Sequence, residues 1–178
     1  RAISFENVRV PLHCLLGVEG DGFSIAMQGL EGGRINIAAC SLGAAQVTLD
    51  MTQRYLSERK QFGQVLADFQ ALQFRLADMA TELVAARQMV YKAAWALDSD
   101  HPEKTADCAM AKRFATDTGF KVCNEAMQLH GGYGYLRDCA AQNFAVESFR
   151  FCKVASRNGE VKCISHIDPY SLPKRFSN

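Results

Sequence analysis

The sequence feature that most constrains the fold is an apolar period between positions 72 and 97. Apolar side chains recur there in alternating steps of four and three residues, which is the spacing along one side of an α-helix. The positions are Leu72, Leu76, Met79, Leu83, Ala86, Val90, Ala93 and Leu97. A stripe of this length is typical of a helix that packs along its neighbours. The sequence therefore predicts an all-α fold built on an antiparallel helical bundle.

The segment before this helix also has helical spacing. Its apolar and small side chains recur at steps of three and four: Leu42, Ala45, Leu49, Thr52 and Leu56. Asp21 is a suitable N-cap for a first helical run, and the Gly32–Gly33 pair separates that run from a second one. The second run ends near Arg59 and Lys60, and Gly63 behind them is the residue type expected at a helix C-terminus.

A further helix is predicted from Glu103 to about Leu129, after a break at Asp98–Pro102. Its predicted inward face consists of Met110, Phe114, Thr118, Val122, Ala126 and Leu129. Long helices joined by short turns need a fourth partner to close a four-helix bundle. That partner is either the region after Asp138 or a helix from another subunit.

Residues 1–20 have a different pattern from the rest. Apolar and polar residues alternate at Ile3, Phe5, Val8 and Val10, and Pro11 and Gly17 follow, which predicts a strand and a connecting loop. Because a single strand is not stable alone, we expect it to belong to a sheet domain upstream of this chain. Two prolines in 166–178 predict an irregular tail.

Composition argues against several classes of function. The net charge of +1, with Lys and Arg spread along the chain, provides no basic surface for nucleic acid or an anionic membrane. No apolar run approaches the roughly 20 residues needed to span a bilayer. The seven cysteines are widely spaced and include no C-x-x-C pair. We interpret them as reduced structural thiols of an intracellular compartment and expect no metal site.

The stretch from Gln128 to Asp138 ends the last predicted helix on Gly131, Gly132 and Gly134, beside an imidazole and two phenols. Glycine accepts positive φ and leaves the backbone bare. The stretch is therefore either a helix terminator with a tight turn, or a place where a flat or phosphorylated group approaches the backbone. It is a poor match to a Rossmann phosphate loop, since these glycines follow a helix instead of a strand.

Several segments, in this order and spacing, resemble the acyl-CoA dehydrogenases. They are Phe5–Pro11, Gly17–Phe23, Gly32–Arg34, Arg59–Gly63, Leu76–Ala80 and Gln128–Gly134. The amino-acid sequences of Gly29–Ala39 and Met110–Thr116 are most similar to those of family members that act on short branched acyl-CoA such as isobutyryl-CoA. The resemblance implies three parts: the end of a middle β-domain at 1–20, a C-terminal helical bundle at 21–165 and a tail at 166–178.

The resemblance also implies an activity. An enzyme of this kind uses FAD, oxidises its acyl-CoA to the 2,3-enoyl-CoA and passes electrons to an electron-transfer flavoprotein. It is expected to be a homotetramer of the mitochondrial matrix in which FAD lies across a subunit interface.

Two sets of binding residues follow from the resemblance. The cofactor-binding set is Arg59, Phe62, Gln70, Gln128, Gly131 and Gly132. Arg59 would contact the FAD pyrophosphate. Gln128, Gly131 and Gly132 would let the adenine end of FAD from a neighbouring subunit lie against bare backbone. The substrate-binding set is Glu31, Gly32, Gly33 and Arg34, where Arg34 would hydrogen-bond the pantetheine or nucleotide part of the acyl-CoA.

The chain departs from the family at the catalytic base, a carboxylate that removes the α-proton of the substrate. The usual position holds Ala155 or, with one inserted residue, Ser156, and the alternative position holds Gly33. Glu31 and Glu160 are nearby carboxylates displaced from both positions. The chain itself is therefore predicted to be inactive. Two other functions stay open: a catalytically silent module for oligomerisation and FAD-adenosine binding, and an acyl-CoA oxidase, which passes electrons to oxygen.

Overall fold

The computed structural model describes residues 3–135, and three long helices make up most of them. Helix α1 is Gly22–Glu58, α2 is Gln70–Asp98 and α3 is Lys104–Leu129. The break expected around Pro102 lies between α2 and α3, and both helices begin and end within two residues of their predicted limits. The all-α fold class is confirmed.

Contacts between α1 and α3 show that these two helices run parallel. Near the start of both, the Thr105 hydroxyl donates a hydrogen bond to the Glu31 carboxylate. Near the end of both, the Tyr55 ring stacks on the ring of His130, which directly follows α3. The same relative register is therefore kept along the whole length of the pair.

Helix α2 runs antiparallel to α3. Arg75 near its start forms a salt bridge with Glu125 near the end of α3, and Lys92 near its end pairs with Asp107 near the start of α3. The predicted antiparallel arrangement therefore holds for these helices. The region after Asp138, one of the two candidates for a fourth helix, lies outside the described residues.

The core lies where the apolar stripes of the three helices meet. From α2 it contains the predicted residues Met79, Leu83, Ala86, Val90 and Ala93, with Leu72, Leu76 and Leu97 partly buried against it. From α1 it contains the predicted Leu42, Ala45, Leu49, Thr52 and Leu56, all buried. The hydroxyls of the buried Thr48 and Thr52 each donate to the carbonyl four residues earlier, so they enter the core without losing a hydrogen bond.

The prediction of an inward-facing side chain is wrong for two residues of α3. Met110 is 51% exposed and Phe114 is 39% exposed, whereas Ala111 and Ala115, one position further along, are buried. Helix α3 packs against both other helices, and close approach of helix backbones favours small side chains at the contact. The remaining predicted positions are buried as expected: Thr118, Val122, Ala126 and Leu129.

Helix α1 is one continuous helix of 37 residues, so the predicted break at Gly32–Gly33 is wrong. Neither glycine has a positive φ. Glu31 and Ile37 on either side are buried, and this packing offsets the cost of about 1 kcal/mol for each helical glycine. Asp21 occupies the N-cap position, but its carboxylate accepts a hydrogen bond from the backbone N–H of Val18 (3.3 Å) rather than from a helix amide.

The end of α1 also differs from the prediction. Arg59 is extended, and the chain then forms a short hairpin in which β1 (Lys60–Gln61) pairs antiparallel with β2 (Gln64–Val65). Phe62 and Gly63 between them have φ of 55° and 83°, and positive values at both central residues are characteristic of a type I′ turn. Gly63 therefore turns a hairpin instead of capping a helix.

Residues 3–20 form no strand. They contain one short 3-10 turn at Leu12–Cys14, and the residues with the alternating pattern are exposed. A strand needs a neighbour with which to exchange backbone hydrogen bonds, and within residues 3–135 no partner lies beside this segment. The assignment of this segment to an upstream sheet domain stays a prediction.

Two further observations concern the described residues. Of the cysteines in residues 3–135, Cys14 and Cys40 are exposed, and Cys108 and Cys123 are buried. Cys139, Cys152 and Cys163 lie outside the described range, as does the tail 166–178. Among residues 3–135, no helix combines the length and apolar character needed to cross a membrane.

Candidate functional site

The ends of α1 and α3 meet at one corner of the bundle. The guanidinium carbon of Arg59 lies 5.0 Å from the centre of the Tyr133 ring, which belongs to the short turn Gly131–Tyr135 after α3. Within residues 3–135, no carboxylate forms a salt bridge with Arg59. Among the described residues, the Arg59 cation therefore lies beside this turn without a paired carboxylate. The α1–α3 corner consists of Tyr55, Arg59, His130, Gly131, Gly132, Tyr133 and Gly134.

A ring stack attaches this turn to α1. The Tyr55 and His130 rings lie 4.4 Å apart with an interplanar angle of 22°, and the Tyr55 hydroxyl donates a long hydrogen bond of 3.4 Å to the His130 carbonyl. His130 is buried, and its Nδ1 lies 2.8 Å from the Ala126 carbonyl oxygen. Since a carbonyl can only accept, this nitrogen is assigned the proton. The position where α3 ends is thus set by contact with α1.

The three glycines of the turn have different roles. Gly131 has φ of 59°, the left-handed conformation that terminates helices. A Cβ on Gly134 would lie 2.5 Å from the Met127 carbonyl oxygen, so packing requires glycine there. At Gly131 and Gly132 a Cβ would meet nothing within 4 Å, and both residues are exposed. The stretch is therefore a helix terminator and also presents bare backbone to the surface.

The other predicted cofactor residues are exposed on the elements next to this corner. Gln128 is exposed on the last turn of α3. Phe62 is 92% exposed at the hairpin tip, with its ring 6.3 Å from that of Phe69 in an edge-on arrangement, and Gln70 is the exposed first residue of α2. Within the described residues, the structure brings Arg59 to the glycine turn but shows no contact between that turn and Phe62 or Gln70.

The predicted substrate residues lie towards the other end of α1. Glu31 is 8% exposed, and its carboxylate accepts the hydrogen bond from Thr105, which orients it towards α3. Arg34 is half-buried one turn later. Gly32 and Gly33 have open space where a Cβ would be, so α1 presents a notch without side chains next to these two charged residues.

A buried thiol lies close to the same cluster. Burial raises the pKa of Cys108, and the Glu31 carboxylate raises that pKa further, while Arg34 and Lys104 act in the opposite direction. Cys108 is fully buried, and its Sγ lies 4.0 Å from the Ala93 carbonyl oxygen. The combination describes a neutral structural thiol rather than a nucleophile.

Sequence reasoning missed the aromatic contacts of the corner and the hairpin. Tyr55 lies one turn before Arg59, and His130 and Tyr133 lie within the glycine stretch, but pairing across 75 residues leaves no local signal. The hairpin did have a signal, since a glycine in a two-residue loop is typical of type I′ turns. Ala155, Ser156 and Glu160, on which the prediction about the catalytic base rests, lie outside the described residues.

Comparison with known proteins gives consistent matches. The family model described as "Acyl-CoA dehydrogenase, C-terminal domain" matches residues 20–154. The chain is 53% identical over 148 residues to the mitochondrial isobutyryl-CoA dehydrogenase of Bos taurus, which covers 83% of this chain and 36% of that protein. It therefore spans only about a third of the length of that relative.

Solved structures show the same fold. The butyryl-CoA dehydrogenase of Megasphaera elsdenii superimposes with a TM-score of 0.80 at 41% identity, covering 88% of this chain and 40% of that one. A chain from the structural study of the electron transferring flavoprotein of Acidaminococcus fermentans gives a TM-score of 0.79 at 44% identity, again covering 88% and 40%. Together with the family match, these similarities establish that the chain belongs to the acyl-CoA dehydrogenase family of FAD-dependent oxidoreductases, as its C-terminal helical domain.

Proposed function

We propose that this chain is the C-terminal portion of an acyl-CoA dehydrogenase that oxidises a short branched acyl-CoA, such as isobutyryl-CoA, to the 2,3-enoyl-CoA. The 53% identity with isobutyryl-CoA dehydrogenase supports the substrate class. The similarity to a chain from the study of an electron transferring flavoprotein supports such a protein as electron acceptor. The mitochondrial location of the bovine relative supports the mitochondrial matrix.

The observation that carries the proposal is the Arg59 guanidinium over the Tyr133 ring, in the same turn that leaves the backbone of Gly131 and Gly132 bare. A diphosphate accepts charge-assisted hydrogen bonds from a guanidinium, and a flat adenosine needs a surface without side chains. The corner therefore fits the pyrophosphate and adenosine of FAD. Phe62, Gln70 and Gln128 complete the proposed cofactor set: Phe62 packs near the adenosine and Gln70 supports the same nucleotide.

The substrate-binding part of the proposal uses the notch on α1. Glu31, Gly32, Gly33 and Arg34 would hold the acyl-CoA, with Arg34 donating hydrogen bonds to its pantetheine or nucleotide portion. When bound, FAD would supply the acceptor for the hydride that leaves the β-carbon of the substrate. The residues proposed here bind and orient the two molecules, and none of them is assigned the removal of the α-proton.

The test of the cofactor site is Arg59→Ala in a chimera that joins this chain to the part of the bovine relative that it does not span. Loss of a charge-assisted contact to a phosphate costs about 1.5–3 kcal/mol, which is a roughly ten- to hundredfold weaker affinity for FAD. Arg54→Ala, at an exposed arginine on the same helix, is the matched control. Flavin retention equal in the two variants would remove Arg59 from the cofactor site.

A second candidate function, the catalytically silent binding module, is favoured by the missing carboxylates at Ala155, Ser156 and Gly33. Removing a positioned general base lowers the rate by about 10²–10⁴. The chimera is therefore expected to be almost inactive, and Ala155→Glu or Ser156→Glu to restore electron transfer to an artificial acceptor. Normal rates in the unmodified chimera would show that another carboxylate serves as the base and would contradict the silent module.

The proposed assembly is a homotetramer. Large apolar side chains are exposed on α2, which is common where a helix is covered by another subunit: Phe74, Val84, Tyr91 and Trp95. Sedimentation of the chain at tens of micromolar tests self-association. A well-folded monomer in that experiment would contradict assembly through the residues of this chain.

A further inference from the structure

The α1–α3 corner contains an aromatic residue to which the proposed function gives no role. Tyr133 lies between Gly132 and Gly134, is 41% exposed, and has the Arg59 guanidinium 5.0 Å from its ring centre. This distance is within the range of a cation–π contact. The ring therefore holds the side chain that is proposed to meet the phosphates.

Holding Arg59 in place has a consequence for binding. A long side chain that becomes ordered only when its ligand arrives loses rotamer entropy on binding. A side chain already held against a ring loses less, so the complex forms with higher affinity even if the ring does not touch the ligand. Arginine stacks well because its guanidinium is planar and weakly hydrated.

The position of the ring is itself fixed by contacts that need no ligand. The backbone N–H of Arg59 donates to the Tyr55 carbonyl at 2.9 Å, and the Tyr55 ring stacks on His130, which directly precedes the turn that contains Tyr133. His130 is 6% exposed, so this stack lies inside the protein. The cation and the ring thus both rest on the same stacked pair of side chains, of which His130 is buried and Tyr55 partly buried.

We infer that Tyr133 is a positioning residue for nucleotide binding: its ring holds the Arg59 guanidinium beside the bare backbone of Gly131 and Gly132, where the diphosphate of an adenine dinucleotide binds. The inference rests on the proposed function. Tyr133 acts through Arg59, so removing its ring changes affinity only while the arginine is present. That dependence separates positioning from direct contact with the ligand and from a general structural role.

The experiment is a double-mutant cycle in the chimera that joins this chain to the part of the bovine relative that it does not span, with FAD titrated at one ionic strength and followed by flavin fluorescence. A cation–π contact at an exposed site contributes about 0.5–1 kcal/mol, so Tyr133→Leu is expected to weaken binding about two- to fivefold. Tyr133→Phe keeps the ring and is expected to bind like the unmodified chain. In the Arg59→Ala background, Tyr133→Leu is expected to have no further effect.

Two controls keep the result interpretable. Phe114→Leu, at a phenylalanine of α3 that is 39% exposed, reports the effect of removing a surface ring elsewhere. The NMR shift of the Arg59 Nε–H proton gives a readout without ligand: the ring current of Tyr133 displaces it, Tyr133→Phe preserves the displacement and Tyr133→Leu abolishes it.

The outcomes separate the inference from the proposed function. Equal losses from Tyr133→Leu with and without Arg59 would mean that the ring contacts the ligand directly, which overturns the positioning role. Unchanged affinity in Tyr133→Leu, while Arg59→Ala weakens binding, would also overturn this inference and leave the proposed site intact. FAD binding that is absent, or insensitive to Arg59→Ala, would overturn the proposed site and the inference with it.

Discussion

The bundle core and the α1–α3 corner are held together in different ways. In the core, large side chains such as Leu56, Leu83 and Val122 are fully buried, and the stabilising quantity is apolar area removed from water. At the corner, the important groups are a cation, a partly exposed ring and a backbone without side chains. The stability contributed by the core therefore depends on side-chain volume, whereas binding at the corner depends on which chemical groups are in contact. Substitutions in the core should change stability, and those at the exposed part of the corner should change binding.

The largest effect is expected from Leu83→Ala in the core. Leu83 is 1% exposed, and truncation of a buried leucine lowers the free energy of unfolding by about 2–5 kcal/mol because it leaves a cavity. Denaturant unfolding of the chain measures this loss. Val84→Ala, at the neighbouring residue that is 55% exposed, should change the stability of the unassociated chain by no more than about 0.5 kcal/mol. Similar losses in both variants would show that the difference in burial between Leu83 and Val84 does not determine their contributions to stability.

Two glycines of the turn allow the same contrast between stability and binding to be tested within the corner. Gly134→Ala places a Cβ 2.5 Å from the Met127 carbonyl oxygen, so it should lower the free energy of unfolding by about 1–3 kcal/mol. Gly132→Ala meets open space and should leave stability unchanged. If the ligand lies against this backbone, the same methyl group should weaken FAD binding by roughly tenfold. Thermal unfolding and FAD titration of both variants measure the two effects.

The opposite result would remove the distinction between the two glycines. Loss of stability in Gly132→Ala would mean that the turn is packed at that position. Unchanged FAD binding in a stable Gly132→Ala variant would mean that no ligand atom approaches the backbone there.

The smallest effect is expected for an exposed ion pair at the other end of α3. Lys104 Nζ lies 2.5 Å from Asp100 Oδ1, and the hydrogen bond and charge of Lys104 hold the pKa of Asp100 below its ordinary value. A lowered folded-state pKa means that the pair stabilises the protein above the ordinary pKa, and that this stabilisation is lost as pH falls through the lower value. Because Asp100 is fully exposed to water, the contribution is small.

Lys104→Met tests this assignment. The pKa of Asp100, followed by NMR titration of its side-chain carboxyl carbon, should rise towards its ordinary value, while stability at neutral pH stays nearly constant. Lys60→Met, at an exposed lysine in the hairpin, should leave the Asp100 titration as it is in the unmodified chain. An Asp100 titration that Lys104→Met does not change would contradict the pairing. A large loss of stability would contradict the contrast between buried and exposed contacts.

Much of the architecture could be predicted because helix geometry is local. The period from Leu72 to Leu97 is sufficient to place α2 and its buried face, since residues three and four apart share one side of any α-helix. The breaking residues around Pro102 separate α2 from α3 for a similarly local reason. The family motifs, including Arg59 and the glycines after α3, could also be identified from their order along the chain.

Other features depend on contacts between distant parts of the chain. Whether Met110 or Ala111 faces inward depends on how closely the backbones of α1 and α2 approach α3, which no residue of α3 specifies alone. Helix α1 continues through Gly32–Gly33 because residues on either side are packed against the bundle, although the local preference of glycine opposes a helix.

The α1–α3 corner shows the same division most clearly. Its members Arg59 and Gly131 follow from local motifs, but the stack of Tyr55 on His130 and the contact of Arg59 with Tyr133 join residues about 75 positions apart. Such pairs depend on the register in which the parallel α1 and α3 pack against each other. Local sequence therefore places the chemical groups, whereas packing of the helices determines which of them meet, because a contact between two elements depends on the side chains of both.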